Sequence, residues 1–394
     1  MSYLISYLTG RVVFVSEVNL VSNENNNIDV LYSKIIIHSS AHYGINNTRL
    51  AIKPGLLLVV QGSAKETQRG DKLPVTPFRL CESTIKNPTE FEVIFIAEGV
   101  KYQYGFALTS ERITEEWLYA FPKGRPQRWF IRAFDTTEEE YVWDFSSFFL
   151  GKKLLWKDST RYNSLFLSTA VMLNSEQLKP VYDWFVDTLK VTDINGWNPT
   201  YTANICSDDN IKEEVLKFLK SADLDISDIK LESKTIDSSF FPDDMPSKVR
   251  DELLNDLKGK QIIDIKTVHN MSSGQEVLFD LDDESDGTQK LFAFAGPWID
   301  SLKNGKVLFI DELHDSLHPI IVKFLVELFH NEKTNPHNAQ LVFTTHETSI
   351  LDQQVFRRDQ VWFCNKEKDQ ATTLYPLTDF SPRKSVENLE KAYL

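Results

Sequence analysis

In the segment KVLFIDELHDSLHP, residues 306–319, four apolar residues, Val307 to Ile310, lead directly into two carboxylates, Asp311 and Glu312. An apolar run of this kind reads as a strand buried on both faces. A buried strand ending on acids sets them at the carboxyl edge of a parallel sheet, where α/β proteins bind ligands. There Asp311 can hold Mg²⁺ through water, and Glu312 can orient and deprotonate an attacking water. The plainer alternative is a strand running into an acidic loop. A second apolar run, QLVFTTHETSIL (340–351), places His346 at its tip. A neutral imidazole there can hydrogen-bond a γ-phosphate and the attacking water; it can also be a satisfied structural histidine. In DDESDGTQKLFAF (282–294), Ser285, Gly287 and Thr288 stand where a helix begins. Backbone N–H groups and a hydroxyl at a helix N-terminus make an anion site, although the same residues also serve as an ordinary cap after an acidic turn.

Ser285 precedes Asp311 by 26 residues, and His346 follows it by 35. Each interval accommodates one crossover of an α/β sheet. The surrounding pattern agrees. QIIDIKTV and QEVLFDLDD read as strands, GTQKLFAFAGPWIDSL as a helix, KVLFIDEL as a strand, PIIVKFLVELFH as a helix and AQLVFTTHE as a strand. That alternation predicts an α/β fold with a parallel sheet and crossover helices.

Earlier segments are different in kind. Residues 1–60 contain short apolar runs separated by the loop NENNN. Residues 78–145 are β-rich, with a hairpin expected at Glu98-Gly99. Residues 146–260 read as mostly helical. NSEQLKPVYDWFVDTL spaces Leu178, Val181, Tyr182, Phe185 and Leu189 helically, with Asn174 and Gln177 as a capping pair. NIKEEVLKFLKSAD puts Ile211, Val215, Leu216 and Leu219 on one face, and PSKVRDELLNDLKG is a helix closed by Gly259. There is no internal repeat and no heptad array long enough for a coiled-coil arm. The expected organisation is a β-rich lobe over 1–150, a mainly helical insertion over 151–260 and an α/β lobe over 261–394.

The bulk numbers fit a protein of this size. With 394 residues and 42% hydrophobic content, the chain can build two domains, or one with a large insertion. A net charge of −14 argues against wholesale nucleic-acid binding, leaving DNA an unsupported partner. Cys81, Cys206 and Cys364 lie far apart and form no CxxC, so a reducing compartment and no zinc framework are expected. No signal-peptide pattern opens the chain and no apolar run reaches membrane-spanning length, which points to the cytoplasm.

Taken together, the helix-start cluster, the strand ending on Asp-Glu and the strand-tip histidine resemble the signature motif, Walker B and H-loop of ABC-type ATPases, in that order. ESDGTQKLF, LFIDELHDSLHP, FTTHETSILD and FRRDQVWF are similar to the AAA15 family of ABC/SMC-like ATPases. PFRL, FEVIF, KYQYGF, RYNSLFLS and EQLKPVYDWF resemble its intervening region, so the similarity spans about residues 76–392. The resemblance implies an ABC-type ATPase head of a mixed β lobe and an α/β lobe with a helical insertion. It implies ATP and Mg²⁺ as ligands. It also implies a head-to-tail homodimer in which Ser285 and Gly287 of one protomer face the ATP of its partner. Asp311 would then hold Mg²⁺ through water, Glu312 would be the general base and His346 the γ-phosphate sensor. Family members stand beside nucleases or toxins in bacterial antiphage systems, including RloB-like proteins, so an effector of that kind is the implied partner. The other functional classes are a non-hydrolysing scaffold holding such an effector, and an SMC-like DNA machine, against which the charge and the missing coiled coil count.

The phosphate loop departs from the family. Its pattern, roughly Y-G-x-N-x-x-G-K-S/T, is met here by Tyr43-Gly44-Ile45-Asn46-Asn47-Thr48-Arg49. Gly44 and Asn46 keep their places, and Thr48 aligns with the Mg²⁺-binding hydroxyl only across a short deletion. The second glycine, which lets backbone N–H groups wrap phosphates, is missing, as is the charge-neutralising lysine. Arg49 and Lys53 do not have the usual spacing, and Pro54 interrupts the helix that should follow. The family's N-terminal N-F-x-S-F is also lacking, and LEKAYL stops where relatives continue into a Gly/Arg/Tyr-rich tail. A degenerate nucleotide binder, an altered loop and compensated frameshifts within 1–60 each account for this. The encoding DNA tests the frameshift account: it requires an alternative frame that yields N-F-x-S-F and Gly-Lys, and fails if there is none.

Overall fold

A computed structural model describes most of residues 70–380, with the strands Val12–Val15, Leu20–Ser22 and Ile28–Val30; residues 193–196, 236–244, 257–260 and a few single positions stand outside it. The segment 39–55, with Gly44, Asn46 and Thr48, lies outside the described residues. The chain divides into two compact units, one of residues 1–194, 304–314 and 325–394, the other of residues 195–303 and 315–324.

The first unit holds a five-stranded antiparallel meander: Thr89–Ala97, Val100–Leu108, Ile113–Phe121, Gln127–Asp135 and Glu140–Phe145. Glu98 and Gly99 make its first turn with φ of 49° and 75°, and Ala97 pairs with Val100. Two positive φ values match the strand twist in a two-residue hairpin, which bears out the expected turn. A six-stranded mixed sheet runs in the order Thr372–Pro376, Val361–Lys366, Val12–Val15, Gln340–Thr345, Val307–Ile310, Leu189–Thr192. Among the described strands of this sheet, parallel pairing joins the last three, and the other neighbours pair antiparallel. One apolar cluster joins both sheets, running from Phe95, Tyr104 and Phe130 through Phe166 and Phe185 to Phe309 and Val342. Within it Phe95 stacks on Trp184 with ring centroids 4.1 Å apart.

A buried ion pair ties this meander to the chain that follows it. Glu116 and Arg132 are cross-strand partners on the inner face, both fully buried. The Glu116 carboxylate accepts from the Phe166 and Leu167 amides at 2.6 and 2.9 Å and from the Tyr104 hydroxyl at 3.0 Å. Arg132 lies 3.6 Å from Glu116, donates to the carbonyls of Ser164 and Arg161, and sits 4.2 Å from the Tyr141 ring centre. Burial pushes the Glu116 carboxyl up, while Arg132, the two amides and Tyr104 act in the opposite direction. Together the pair satisfies the first N–H groups of the helix Phe166–Met172 and fixes the loop before it.

Between residues 174 and 192 the structure differs from the helix expected there. Asn174 has φ of 63° and ends the preceding helix in a left-handed turn, instead of opening a new one. Gln177 caps nothing; its amide accepts from Leu150 N and donates to the Phe148 carbonyl. The helix is Lys179–Asp183 followed by a π turn, Trp184–Thr188, and Leu189 starts a strand. Leu178, Val181, Phe185 and Leu189 are all buried, so the apolar spacing was a true burial signal spread over two element types.

The second unit carries a three-stranded antiparallel sheet, Asp228–Thr235, Gln261–Asn270 and Glu276–Asp280. The strand Glu276–Asp280 therefore belongs to this sheet and not to the parallel one expected from the alternation. Four of its five residues are exposed, and Lys266 pairs with Asp280 across the ladder, which suits a solvated edge and not a buried parallel strand. The long helix Asp286–Asn304 contains Pro297, which has no N–H for the Ala293 carbonyl. The buried Thr202 hydroxyl donates to that carbonyl at 3.2 Å and accepts from Gly296 N at 3.1 Å. A side chain at Gly296 would collide with Thr202, 2.7 Å away, so glycine lets the helix Pro199–Ile205 approach this closely. Among the described residues no helix is long and apolar enough to cross a membrane.

Glu116→Ala leaves the Arg132 guanidinium buried without its counter-charge. It is expected to cost about 3–5 kcal/mol, measured by urea unfolding.

Candidate functional site

All four residues of the strand Val307–Ile310 are buried, and it runs parallel to Gln340–Thr345 with Ile310 opposite Phe343. Asp311 therefore emerges beside Thr344 at the carboxyl edge. The Thr344 hydroxyl donates to Asp311 Oδ1 at 2.6 Å and accepts from Glu312 N at 2.9 Å. One hydroxyl with a single proton and two lone pairs serves both neighbours. The Thr344 carbonyl accepts from Leu313 N at 3.1 Å, and Leu313 is fully buried, which pins the far side of the turn. Between these anchors Glu312 has φ of 56°, a left-handed backbone that disfavours residues with a Cβ. Such local strain persists where the surroundings over-determine it, as at ligand-handling sites.

Beyond this turn stands a histidine pair. His314 Nε2 and His346 Nε2 are 3.0 Å apart, with ring centroids at 3.7 Å. Glu347 accepts from Ser349 N at 3.0 Å. Hydrogen bonding to Ser349 holds its carboxyl below the usual range, with His314 and His346 adding to the effect against partial burial.

In the second unit Ser285 stands directly before the helix Asp286–Asn304, with Gly287 and Thr288 in its first turn. Ser285 Oγ accepts from Thr288 N at 3.2 Å and lies 2.8 Å from Thr288 Oγ1. It is thus a helix cap, the plainer of its two readings, and it places backbone N–H groups at the helix start. A side chain at Gly287 would come within 3.1 Å of the Ser316 carbonyl, so glycine suits the close approach. Lys290 Nζ donates to the Asp315 carbonyl at 2.6 Å and lies 3.2 Å from its carboxylate. On the other side Thr267 Oγ1 and His269 Nε2 hold Glu284 Oε1 at 2.5 and 2.7 Å.

The structure brings Asp311, Glu312 and His346 to neighbouring strand ends in one unit, and Ser285, Gly287 and Thr288 to one helix start in the other. Sequence reasoning missed Thr344, the residue that holds the Asp311 carboxylate and the Glu312 amide; the paired hydroxyls of FTTHE at a strand end were the available signal. It also missed Glu284 and Lys290, which fix the helix start. Among the described residues no group of three or more His, Cys, Asp or Glu side chains could hold a metal ion. Asp311 offers hard oxygen donors at one edge, which suits Mg²⁺, an ion that keeps waters and takes one or two carboxylates plus phosphates. It does not suit an ion needing a full protein cage.

Thr344→Val keeps shape and removes the hydroxyl. With Asp311 and the Glu312 amide deprived of it, the variant is expected to lose about 1–3 kcal/mol in urea unfolding, and Thr344→Ser to lose less.

No curated protein matches this chain. Two similar solved structures are of the recombination mediator protein RecF in the RecFOR pathway. RecF-ATP is 14% identical, covering 92% of this chain and 98% of that chain at a TM-score of 0.29. RecF-ATPrS is 13% identical, covering 80% and 89% at a TM-score of 0.18. A likeness this distant leaves the chemistry to the chain's own residues. The family model described as an AAA domain, of AbiEii-toxin type, Type IV TA system, matches residues 51–352. That span is most of the chain and contains Ser285, Gly287, Thr288, Asp311, Glu312 and His346; the chain belongs to this AAA-domain family.

Proposed function

We propose that this chain is an ABC-type ATPase of the AAA15 kind that binds Mg-ATP, hydrolyses it and so sets the state of a partner effector in bacterial antiphage defence. The observation that carries this is the pair Asp311 and Glu312, held at a parallel-sheet edge by Thr344, with Glu312 on a left-handed backbone. Bound Mg-ATP supplies the electrophilic γ-phosphoryl group. Asp311, fixed through Oδ1, presents oxygen to the ion's water shell. Glu312, half-buried beyond it, takes the proton of the attacking water. His346 stands exposed at the neighbouring strand tip, suited to a γ-phosphate oxygen. Ser285, Gly287 and Thr288 form the helix start that a head-to-tail homodimer brings to its partner's nucleotide. The proposed partner is a protein effector of toxin or RloB-like nuclease type in the cytoplasm; the family's description as a toxin–antitoxin domain is compatible with a defence role.

A second reading, a non-hydrolysing scaffold that holds the effector, is favoured by one observation: Tyr43 to Arg49 lacks the Gly-Lys that grips phosphates. Nucleotide binding and turnover by the full chain separate the two, with Glu312→Gln beside the wild type. The wild type is expected to bind and hydrolyse Mg-ATP, and Glu312→Gln to bind it with turnover reduced at least about 100-fold. Absence of binding at millimolar Mg-ATP leaves the scaffold, and binding without wild-type turnover makes the chain a nucleotide-gated sensor.

A further inference from the structure

His314 and His346 come from two different strand tips, His314 three residues past Asp311 and His346 two past Thr344. Their Nε2 atoms are 3.0 Å apart and their rings are inclined at 73°. A neutral imidazole has one donor nitrogen and one acceptor nitrogen, so at this contact one ring donates and the other accepts. The contact holds for a neutral pair or a pair with one extra proton; two imidazoliums would set N–H against N–H and two positive charges side by side. The acids beside these histidines in the chain are Asp311, Glu312 and Asp315 on one side and Glu347 on the other, and both imidazoles act on Glu347. His314 has no part in the roles assigned above.

We propose that His314 is a positioning residue for His346: through this single hydrogen bond it orients the His346 ring and determines whether His346 Nε2 carries the proton that a γ-phosphate oxygen would accept. This rests on His346 being the nucleotide-facing histidine. If His346 donates to His314 in the nucleotide-free chain, the same N–H cannot serve a phosphate oxygen as well. Nucleotide binding then separates the pair and releases His314, which lies on the turn that carries Glu312. The two strand tips are thereby coupled through one proton.

Full-length chain carrying ¹⁵N-labelled histidine tests this by NMR, comparing wild type, His314→Gln and His346→Gln. Each substitution is expected to change the tautomer signature of the remaining ring. In parallel, His314→Gln is expected to lower kcat about tenfold, near the low end of what losing the partner of an oriented histidine costs. KM for Mg-ATP should not rise, because the nucleotide no longer has to displace this hydrogen bond, and the acidic limb of the pH profile should move, neither of which a purely structural role predicts. A tautomer signature in each ring that is indifferent to loss of the other overturns the proposal even in an active enzyme, as does an unmoved pH profile. If the wild type binds no nucleotide, the functional reading falls, and the proposed role of His314 falls with it, whereas indifferent tautomer signatures overturn His314 alone.

Discussion

The parallel register between Val307–Ile310 and Gln340–Thr345 is the constraint on which the site depends. Both strands are buried, so their backbone groups must find partners within the protein. Where the first strand ends, ladder pairing stops and Glu312 N needs another acceptor. Thr344, one position beyond Phe343, the last residue paired with the first strand, provides it with a hydroxyl and donates that hydroxyl's hydrogen bond to Asp311. A slip of one residue would point Thr344 to the opposite face of the sheet and remove both bonds at once. The antiparallel strand Val12–Val15 sets the same register from the other side, with Val13 opposite Thr344.

Each unit repeats this solution, a buried polar group satisfying backbone atoms that regular structure leaves over. Glu116 accepts the first amides of one helix while Arg132 binds the carbonyls leading into it. Thr202 fills the gap that Pro297 opens in another. Glu284, Ser285 and Lys290 do the same around the start of the long helix. Regular elements carry the bulk of the core, and these polar groups determine where the irregular segments between them lie.

The features legible in the sequence were those with a local cause. Four consecutive apolar residues announce a buried strand, Glu98-Gly99 announces a hairpin, and Ser285 before Gly287-Thr288 announces a helix start. The misread elements were settled by distant partners. Apolar spacing through Leu178 to Leu189 correctly marked burial, but the π turn and the change to a strand at Leu189 answer to Val307, its partner in the parallel sheet. QEVLFDLDD has the composition of an inner strand, and only its pairing with Gln261–Asn270 makes it an outer one. Thr344 could be suspected from its position but not assigned, because its role depends on a register set by residues more than thirty positions away.

The left-handed backbone at Glu312 bears on how such a site is lost. Glycine would adopt this conformation without the steric cost that a Cβ imposes, about 1–2 kcal/mol. Under the proposed role of Glu312, fold stability and chemistry pull in opposite directions at this position: the residue that relaxes the turn is the one that cannot accept a proton. A chain freed from catalysis has a single-residue route to a more stable turn, and it leads through loss of this carboxylate. Here Glu312 keeps its carboxylate on that left-handed backbone.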